Sequence, residues 1–209
     1  MTQKVIDSTK YIVYNKGKSG FEFVECYFIY MTIEVYMKLN ELASIRSGLV
    51  LSRKMTTKES SSYQYRLLNL RSIRADGTID LQQIDTYNAT EALRAEYLSQ
   101  PGDLVIRLTA PYTAVLISED IAGIVISSNF VIVRIESDQL LPGYLYWLLN
   151  TAEEKHRIYE NATSNMLGAV KAKYFMEYEL DLLPVRKQQI ISELNLLPQK
   201  EVRLLKELA

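Results

Sequence analysis

Side chains that could do catalytic chemistry are few in this 209-residue chain. The only histidine, His156, stands in the charged run 153–157, where we expect a solvated helix position rather than a general base. One histidine and one cysteine, Cys26, cannot form a zinc cluster. The sequence has neither a phosphate-binding glycine loop nor an Asn-Pro-Pro-aromatic methyltransferase motif. We therefore predict no catalytic residue and no metal site.

Basic residues are unevenly distributed, although the formal net charge is only −1. Residues 46–74 contain seven basic residues and one acid, whereas residues 75–140 contain ten acids and three arginines. This asymmetry predicts a polarised surface that can attract an anionic partner such as nucleic acid. The alternative is a solvated charged face without a partner.

The elements that must position these residues include several strands. Hydrophobic residues make up 48% of the chain, which is enough for a folded core. Residues 63–73 alternate like a strand. Runs at 104–109, 114–117, 124–126 and 130–135 predict strands of one mostly antiparallel sheet.

Helices are predicted on both sides of this strand-rich region. Apolar positions in 39–43 mark one helical turn, and residues 44–48 are expected to turn the chain. Asn88 could cap a short helix over 89–98. Pro142 suits a first helical position, and a second helix is expected over 150–159.

The C-terminal residues 186–209 are helical in pattern, with a seam of apolar side chains at alternating steps of four and three that Glu201 interrupts. The seam residues are Ile190, Leu194, Leu197, Leu204 and Leu208. Such a seam predicts a coiled coil that pairs with a second helix, and the alternative is an ordinary helix packed on its own domain. Pro198 is expected to kink or break this helix.

The first 36 residues are less informative. Residues 21–36 are rich in aromatic and β-branched side chains and fit a strand, a helix or both. We interpret residues 1–36 as an extension, or as translation from an upstream start codon. No secretory signal or membrane-spanning run is visible, so the cytoplasm is the expected location and no membrane partner is expected.

Five segments resemble, in order, the motifs of the specificity (S) subunits of type I restriction–modification systems. Residues 37–54 resemble the opening Leu-x-x-Leu/Ile-Ala-x-Ile/Val-x-x-Gly pattern of a target-recognition domain, and 101–107 its Gly-Asp strand start. Residues 127–134 resemble its serine followed by a strand ending in arginine. Residues 141–150 and 180–191 resemble its Pro-x-Tyr-Leu helix and its Pro-x-x-x-Gln-x-x-Ile segment. The usual second proline after Pro184 is absent.

The resemblance implies an α+β fold: a mostly antiparallel twisted sheet with short helices, followed by a C-terminal coiled-coil-type helix. It divides the chain into the extension, a DNA target-recognition domain over 37–184 and a conserved-region helix over 185–209 for dimerisation and partner docking. Full-length family members carry two domains and two helices. This chain is therefore expected to be a half-length subunit that pairs with itself or another half, or a truncated fragment.

The function that the resemblance implies is sequence-specific binding to one half of a bipartite target in double-stranded DNA. The partners would be an adenine methyltransferase (modification) subunit and a restriction or translocase subunit of the endonuclease complex. No cofactor is expected on this chain, because S-adenosylmethionine, ATP and Mg would belong to the partner subunits. The chain itself would not be an enzyme.

The DNA-binding residues are expected on loops and strand ends. Base edges specify sequence, while lysines and arginines on phosphates set position. The polar loop 52–62 and the two strand ends that follow carry suitable side chains. The candidates are Arg46, Ser47, Arg53, Lys54, Lys58, Tyr63, Arg71, Arg74, Arg107, Thr109 and Tyr112.

Two other functions are alternatives. A truncated or degenerate subunit could dock a helicase or methyltransferase without reading DNA, and affinity for duplex DNA with and without the partner would separate the two. A nuclease would need a carboxylate cluster for metal. Adjacent pairs such as Glu119-Asp120 and Glu153-Glu154 do not form one.

Overall fold

The computed structural model describes residues 9–17, 20–28, 36–51, 63–162 and 168–207. The strands, numbered in chain order, are β1 Thr9–Gly17, β2 Gly20–Phe28, β3 Tyr36–Lys38, β4 Ala43–Ser47, β5 Tyr63–Leu68, β6 Asp85–Ala89, β7 Leu104–Arg107, β8 Ala114–Leu116, β9 Val125–Ile126, β10 Phe130–Ile135 and β11 Glu179–Asp181. The α-helices are α1 Leu39–Leu42, α2 Pro142–Asn150, α3 Ala152–Ala162, α4 Ala172–Met176 and α5 Val185–Glu207. The predicted α+β class, with antiparallel sheets and a C-terminal helix, is confirmed.

A four-stranded antiparallel sheet, in the order β4-β10-β7-β8, lies at the centre of the domain. Its strands alternate apolar side chains to both faces, as a sheet covered on both sides requires. Val131 and Val133 face a core built with α2 and α3, where Leu145 and Ile158 are fully buried. Phe130 and its neighbours on the opposite face pack on a second core.

A three-stranded sheet in the order β6-β5-β9 borders the second face. β5 pairs antiparallel with β6 and parallel with β9. The prediction that 124–126 belongs to the same sheet as 104–109 is therefore wrong. Val125 packs in a different cluster from Ile124 and Ile126, so both faces of β9 are buried and its apolar run does not indicate which sheet it joins.

Two short predictions in the first half are corrected. Residues 43–47 form strand β4 against β10 instead of a turn. The helix expected over 89–98 is absent, because that region holds the end of β6 and one 3-10 turn at Ala95–Tyr97. Tyr87 and Ala89 are buried while Asn88 between them is not, and this period of two belongs to a strand.

The N-terminal residues described form a hairpin and a short strand. β1 and β2 pair antiparallel, with Gly17 opposite Gly20, so of the alternatives left open for this region residues 21–28 form a strand. β3 pairs antiparallel with β11, which places Met37 opposite Leu180. The start of the domain therefore lies beside the segment that leads into α5.

The motif residues of 37–54 serve the fold. Leu39, Leu42 and Ala43 are buried in the first core. Gly48 lies so close to the turn after β9 that a Cβ at this position would overlap the Ser127 carbonyl oxygen. Only glycine fits there without moving the backbone.

The last residue of α2, Asn150, ties that helix to the sheet edge. Its Oδ1 accepts a hydrogen bond from the Ala114 amide (3.2 Å), and its Nδ2 donates to the Ala114 carbonyl (2.9 Å) and the Tyr146 carbonyl (3.0 Å). These bonds satisfy the main-chain groups of Ala114, the first residue of β8, which is an edge strand of the sheet.

Replacing Asn150 with alanine is expected to lower the free energy of unfolding by about 1–3 kcal/mol, because two main-chain groups of Ala114 lose their partner. Urea denaturation measures the change. Asn88→Ala is the control, since the side chain of Asn88 accepts only a 3.5 Å bond from exposed Gln64, and its change should stay within about 0.5 kcal/mol. Equal effects of the two substitutions would contradict the role of Asn150.

Gln188 in α5 connects three segments. It is fully buried, and its Oε1 accepts a hydrogen bond from the Leu141 amide at 2.9 Å. Its Nε2 donates to the carbonyls of Gln139 and Leu183, each at 2.7 Å. This glutamine of the Pro-x-x-x-Gln motif therefore fixes α5 against the start of α2, where Gly143 allows Ser192 to approach closely.

Candidate nucleic-acid interface

One end of the central sheet gathers several of the predicted DNA-binding residues. β4 and β7 end there and β10 begins there, since Arg107 pairs with Phe130 and the Gly48 amide donates to the Phe130 carbonyl at 3.1 Å. Ser47, the last residue of β4, is exposed at this end. We call this region, comprising Ser47, Arg107–Tyr112 and the turn 127–129, the sheet-end surface.

Arg107 has an unusual position among the predicted cations. Its Nε donates to the Thr109 hydroxyl at 3.2 Å, and its side chain is partly buried. Among the residues that the structure describes, no carboxylate lies within ion-pair distance of its guanidinium. Arg107 is therefore oriented by a neutral neighbour and keeps its charge available for an anionic or base-edge acceptor.

Arg71 and Arg74 are exposed and form ion pairs. Arg71 pairs with Asp85, and Arg74 pairs with Asp80 at 2.9 Å. The Asp80 hydrogen bond raises the pKa of Arg74. Either guanidinium would have to break its ion pair with a carboxylate before it could bind a phosphate.

Arg46 lies inside a charged cluster on the second face of the sheet. Its Nε donates to the Glu96 carbonyl at 2.9 Å, and one terminal nitrogen is buried without a hydrogen bond. Burial, followed by the charge of Arg134, lowers the pKa of Arg46. Arg46 therefore supports the segment around Glu96.

The strongest ion pair of this cluster joins two of the sequence motifs. Arg134 donates from Nε and a terminal nitrogen to the two oxygens of Asp103, each at 2.7 Å. The Asp103 side chain is 1% exposed and also accepts from the Gln100 amide at 2.8 Å. Gly102, at φ +85°, makes the turn that brings Asp103 into place.

Tyr112 is buried, with 3% of its surface exposed. Its hydroxyl donates to the Gly168 carbonyl at 2.8 Å. Burial, together with nearby Tyr159, raises the pKa of Tyr112. A side chain in this position supports the loop and does not reach outward to DNA.

The remaining candidates divide into exposed and undescribed residues. Tyr63 is 44% exposed at the start of β5. Arg53, Lys54 and Lys58 lie outside the described residues, but Leu49, which precedes them, is anchored at the sheet-end surface: its amide donates to the Ile126 carbonyl at 2.7 Å.

Two residues at this end were missed in the sequence. Asn129 is exposed in the turn beside Leu108, whose amide donates to the Asn129 carbonyl at 3.1 Å. Lys171 is exposed directly after Val170, whose amide donates to the Leu108 carbonyl at 2.8 Å. In the sequence, the position of Asn129 directly before β10 was the one signal that could have indicated its place. Lys171 had no such signal, because the pairing that brings Val170 to Leu108 joins residues far apart in the chain.

Helix α5 carries the predicted apolar seam on its outer side. Ile190, Leu194 and Leu197 are 52%, 63% and 55% exposed, while Gln188 and Ser192 face α2. The helix is not broken at Pro198. Pro198 has no amide hydrogen to donate to the carbonyl four residues earlier in the helix. Because the proline is exposed, water can bond that carbonyl instead.

The seam continues beyond the side chains that the structure describes. Leu204 lies in the helix, but its side chain is outside them, and Leu208 is outside the described residues altogether. The part of the seam that can be assessed is therefore Ile190, Leu194 and Leu197.

Neither a metal site nor a membrane span is found in the described part of the chain. No cluster of three histidine, cysteine, aspartate or glutamate side chains could hold a metal ion there. No helix in the same residues has the length and apolar character needed to cross a bilayer.

Comparison by sequence finds no match, since no protein-family model and no curated protein matches the chain. Comparison by structure finds matches that each cover 83% of it. A chain solved in work on complex assembly and conformational transition of the type I restriction–modification system superposes with a TM-score of 0.61 at 18% identity. The HsdS subunit from Thermoanaerobacter tengcongensis superposes with a TM-score of 0.59 at 17% sequence identity.

A type I S subunit from M. genitalium has a TM-score of 0.48 at 10% identity, over 41% of that chain. The chain spans 44% of the length of each of the other two neighbours, less than half. Over most of its own length, the protein therefore has the fold of a type I restriction–modification HsdS subunit.

Proposed function

We propose that this chain is a non-catalytic DNA specificity subunit of a type I restriction–modification complex, which reads one half of a bipartite target and docks an adenine methyltransferase subunit. The observation that carries this proposal is the sheet-end surface of an HsdS-like domain, where Arg107 is oriented but not ion-paired with any described acid. S-adenosylmethionine, ATP and Mg would be held by the partner subunits in the cytoplasm.

The sheet-end surface offers chemistry for reading bases. An arginine can donate two hydrogen bonds to guanine, and an asparagine can form two with adenine. Arg107 and exposed Asn129 lie at adjacent ends of β7 and β10, with Thr109 and Ser47 nearby. Lys171 and the basic residues of 52–62 would contact phosphates, which set position without specifying sequence.

The seam of α5 supports pairing of two copies, because Ile190, Leu194 and Leu197 are exposed apolar side chains on the outer side of the helix. Two copies related by a two-fold axis present equal reading surfaces, and the target would be an interrupted palindrome.

Selection from a pool of random-sequence DNA duplexes tests the proposed reading surface. Wild-type protein should enrich one sequence, and Arg107→Ala should reduce the preference for that duplex over a scrambled one by about 5–150-fold, which corresponds to 1–3 kcal/mol. Fluorescence anisotropy measures both affinities. The salt concentration is held fixed, because salt changes the electrostatic part of the binding free energy.

Lys38→Ala is the matched control, since it also removes one cation but lies before the opposite end of β4. It should leave the preference unchanged. If wild-type protein enriches no sequence, with or without a methyltransferase subunit, the chain is a docking module without DNA readout. If Arg107→Ala leaves the preference intact, the sheet-end surface is not the reader.

A further inference from the structure

The loop that follows β7 contains a residue in a costly conformation. Tyr112 has φ +54°, in the left-handed region that bulky side chains rarely adopt. Such a conformation persists only where surrounding contacts hold it. Here the ring is buried in the first core and the hydroxyl is bonded, so both parts of the side chain hold the backbone in place.

A main-chain contact and a side-chain contact join this loop to the segment before α4. The Val170 amide donates to the Leu108 carbonyl at 2.8 Å, as part of the isolated β-bridge between Thr109 and Ala169. The side-chain contact is the hydrogen bond from the Tyr112 hydroxyl to the Gly168 carbonyl, at 2.8 Å.

The same loop carries the group that orients Arg107. The Tyr112 amide donates to the Thr109 carbonyl at 3.0 Å, and the Thr109 hydroxyl accepts from Arg107 Nε at 3.2 Å. A chain of direct contacts therefore runs from Gly168 through Tyr112 and Thr109 to the Arg107 guanidinium. A change in the position of the loop would move Thr109 and release Arg107 into other rotamers.

We infer that Tyr112 is a positioning residue for DNA recognition: its hydroxyl fastens the 108–113 loop to Gly168 and thereby holds Arg107 in its reading geometry without touching DNA. This inference rests on the proposed function. It assigns Tyr112 a different role from the direct DNA contact predicted from the sequence, because its side chain is 3% exposed.

Tyr112→Phe tests the inference, because it keeps the buried ring and removes only the hydroxyl bond. The affinity for the selected duplex should fall about 2–10-fold, the range expected for one net hydrogen bond. In the Arg107→Ala background the same substitution should have no further effect, because Tyr112 acts through Arg107. Effects of the two substitutions that multiply would overturn the inference.

Hydrogen exchange provides a readout that does not need DNA. The amides of Tyr112 and Val170, which donate to Thr109 and Leu108, should exchange faster in Tyr112→Phe than in wild type, because the connection between the two segments is weaker. Tyr97→Phe is the control: it removes a hydroxyl that accepts from exposed Arg94 at 3.0 Å, and it should change neither readout.

The two measurements separate the possible failures. Unchanged exchange in a protein that still selects a DNA sequence would show that the Tyr112 hydroxyl does not hold the two segments together. The proposed function would then remain intact. Faster exchange in a protein that selects no sequence overturns the proposed function, and with it the recognition role of Tyr112.

Discussion

Substituting Leu194 with aspartate is expected to convert a dimer into a monomer of 24.1 kDa. Leu194 is 63% exposed on the outer side of α5, in line with Ile190 and Leu197. Burying a leucine contributes about 1.5–3 kcal/mol, and a two-fold interface contains each residue twice. The dissociation constant should therefore rise about 10²–10⁴-fold, which sedimentation equilibrium can measure.

Gln189→Asp is the matched control, because Gln189 is exposed on the same helix and the substitution also adds one negative charge. It should leave the mass unchanged, and Leu197→Asp should repeat the effect of Leu194→Asp. Wild-type protein that sediments as a monomer, or a dimer that survives both leucine substitutions, would show that α5 does not mediate pairing.

Asp103→Ala is expected to lower the free energy of unfolding by about 3–5 kcal/mol, the largest stability change of any substitution considered for this protein. The substitution leaves the Arg134 guanidinium, with 22% of its side chain exposed, without the carboxylate that now holds two of its nitrogens. The Gln100 amide loses its acceptor as well. The measurement is urea denaturation, with the midpoint and slope fitted together.

Glu177→Ala removes one partner of the exposed Lys173–Glu177 pair and serves as the control. Because exposed pairs are worth little, it should change stability by less than about 1 kcal/mol. If Asp103→Ala cost no more than Glu177→Ala, the buried pair would not hold β10 to the turn that contains Gln100 and Asp103.

The elements that could be predicted from the sequence are those with a clear local period. Helix α2 follows from Pro142 and the spacing of its leucines, and α5 extends over 23 residues, as its seam indicates. Strand β9 was predicted as a strand, but its sheet could not be predicted, because a two-residue strand buried on both faces has no period to read. Strand β6 was missed because Asn88 fits a helix cap as well as a strand position.

The partner of each side chain was much harder to predict. Arg46 binds the carbonyl of Glu96, 50 positions away, and Arg134 binds Asp103, 31 positions away. Nothing local distinguishes these arginines from Arg107, which has no described acid beside it. The sequence therefore did not separate structural arginines from available ones.

The motifs that carry the resemblance are largely residues of the framework. Gly48 permits a close backbone approach, Asp103 pairs with Arg134, Asn150 ties α2 to β8, and Gln188 connects α5 to α2. We expect the residues that contact a partner on the loops and strand ends that these contacts hold in place.

Methylome sequencing of the host, with and without this gene and in the presence of its adenine methyltransferase subunit, tests the central claim most directly. The account predicts one adenine-methylated interrupted palindrome that disappears when the gene is removed. An identical methylome in the two strains, with the methyltransferase subunit expressed in both, would contradict it.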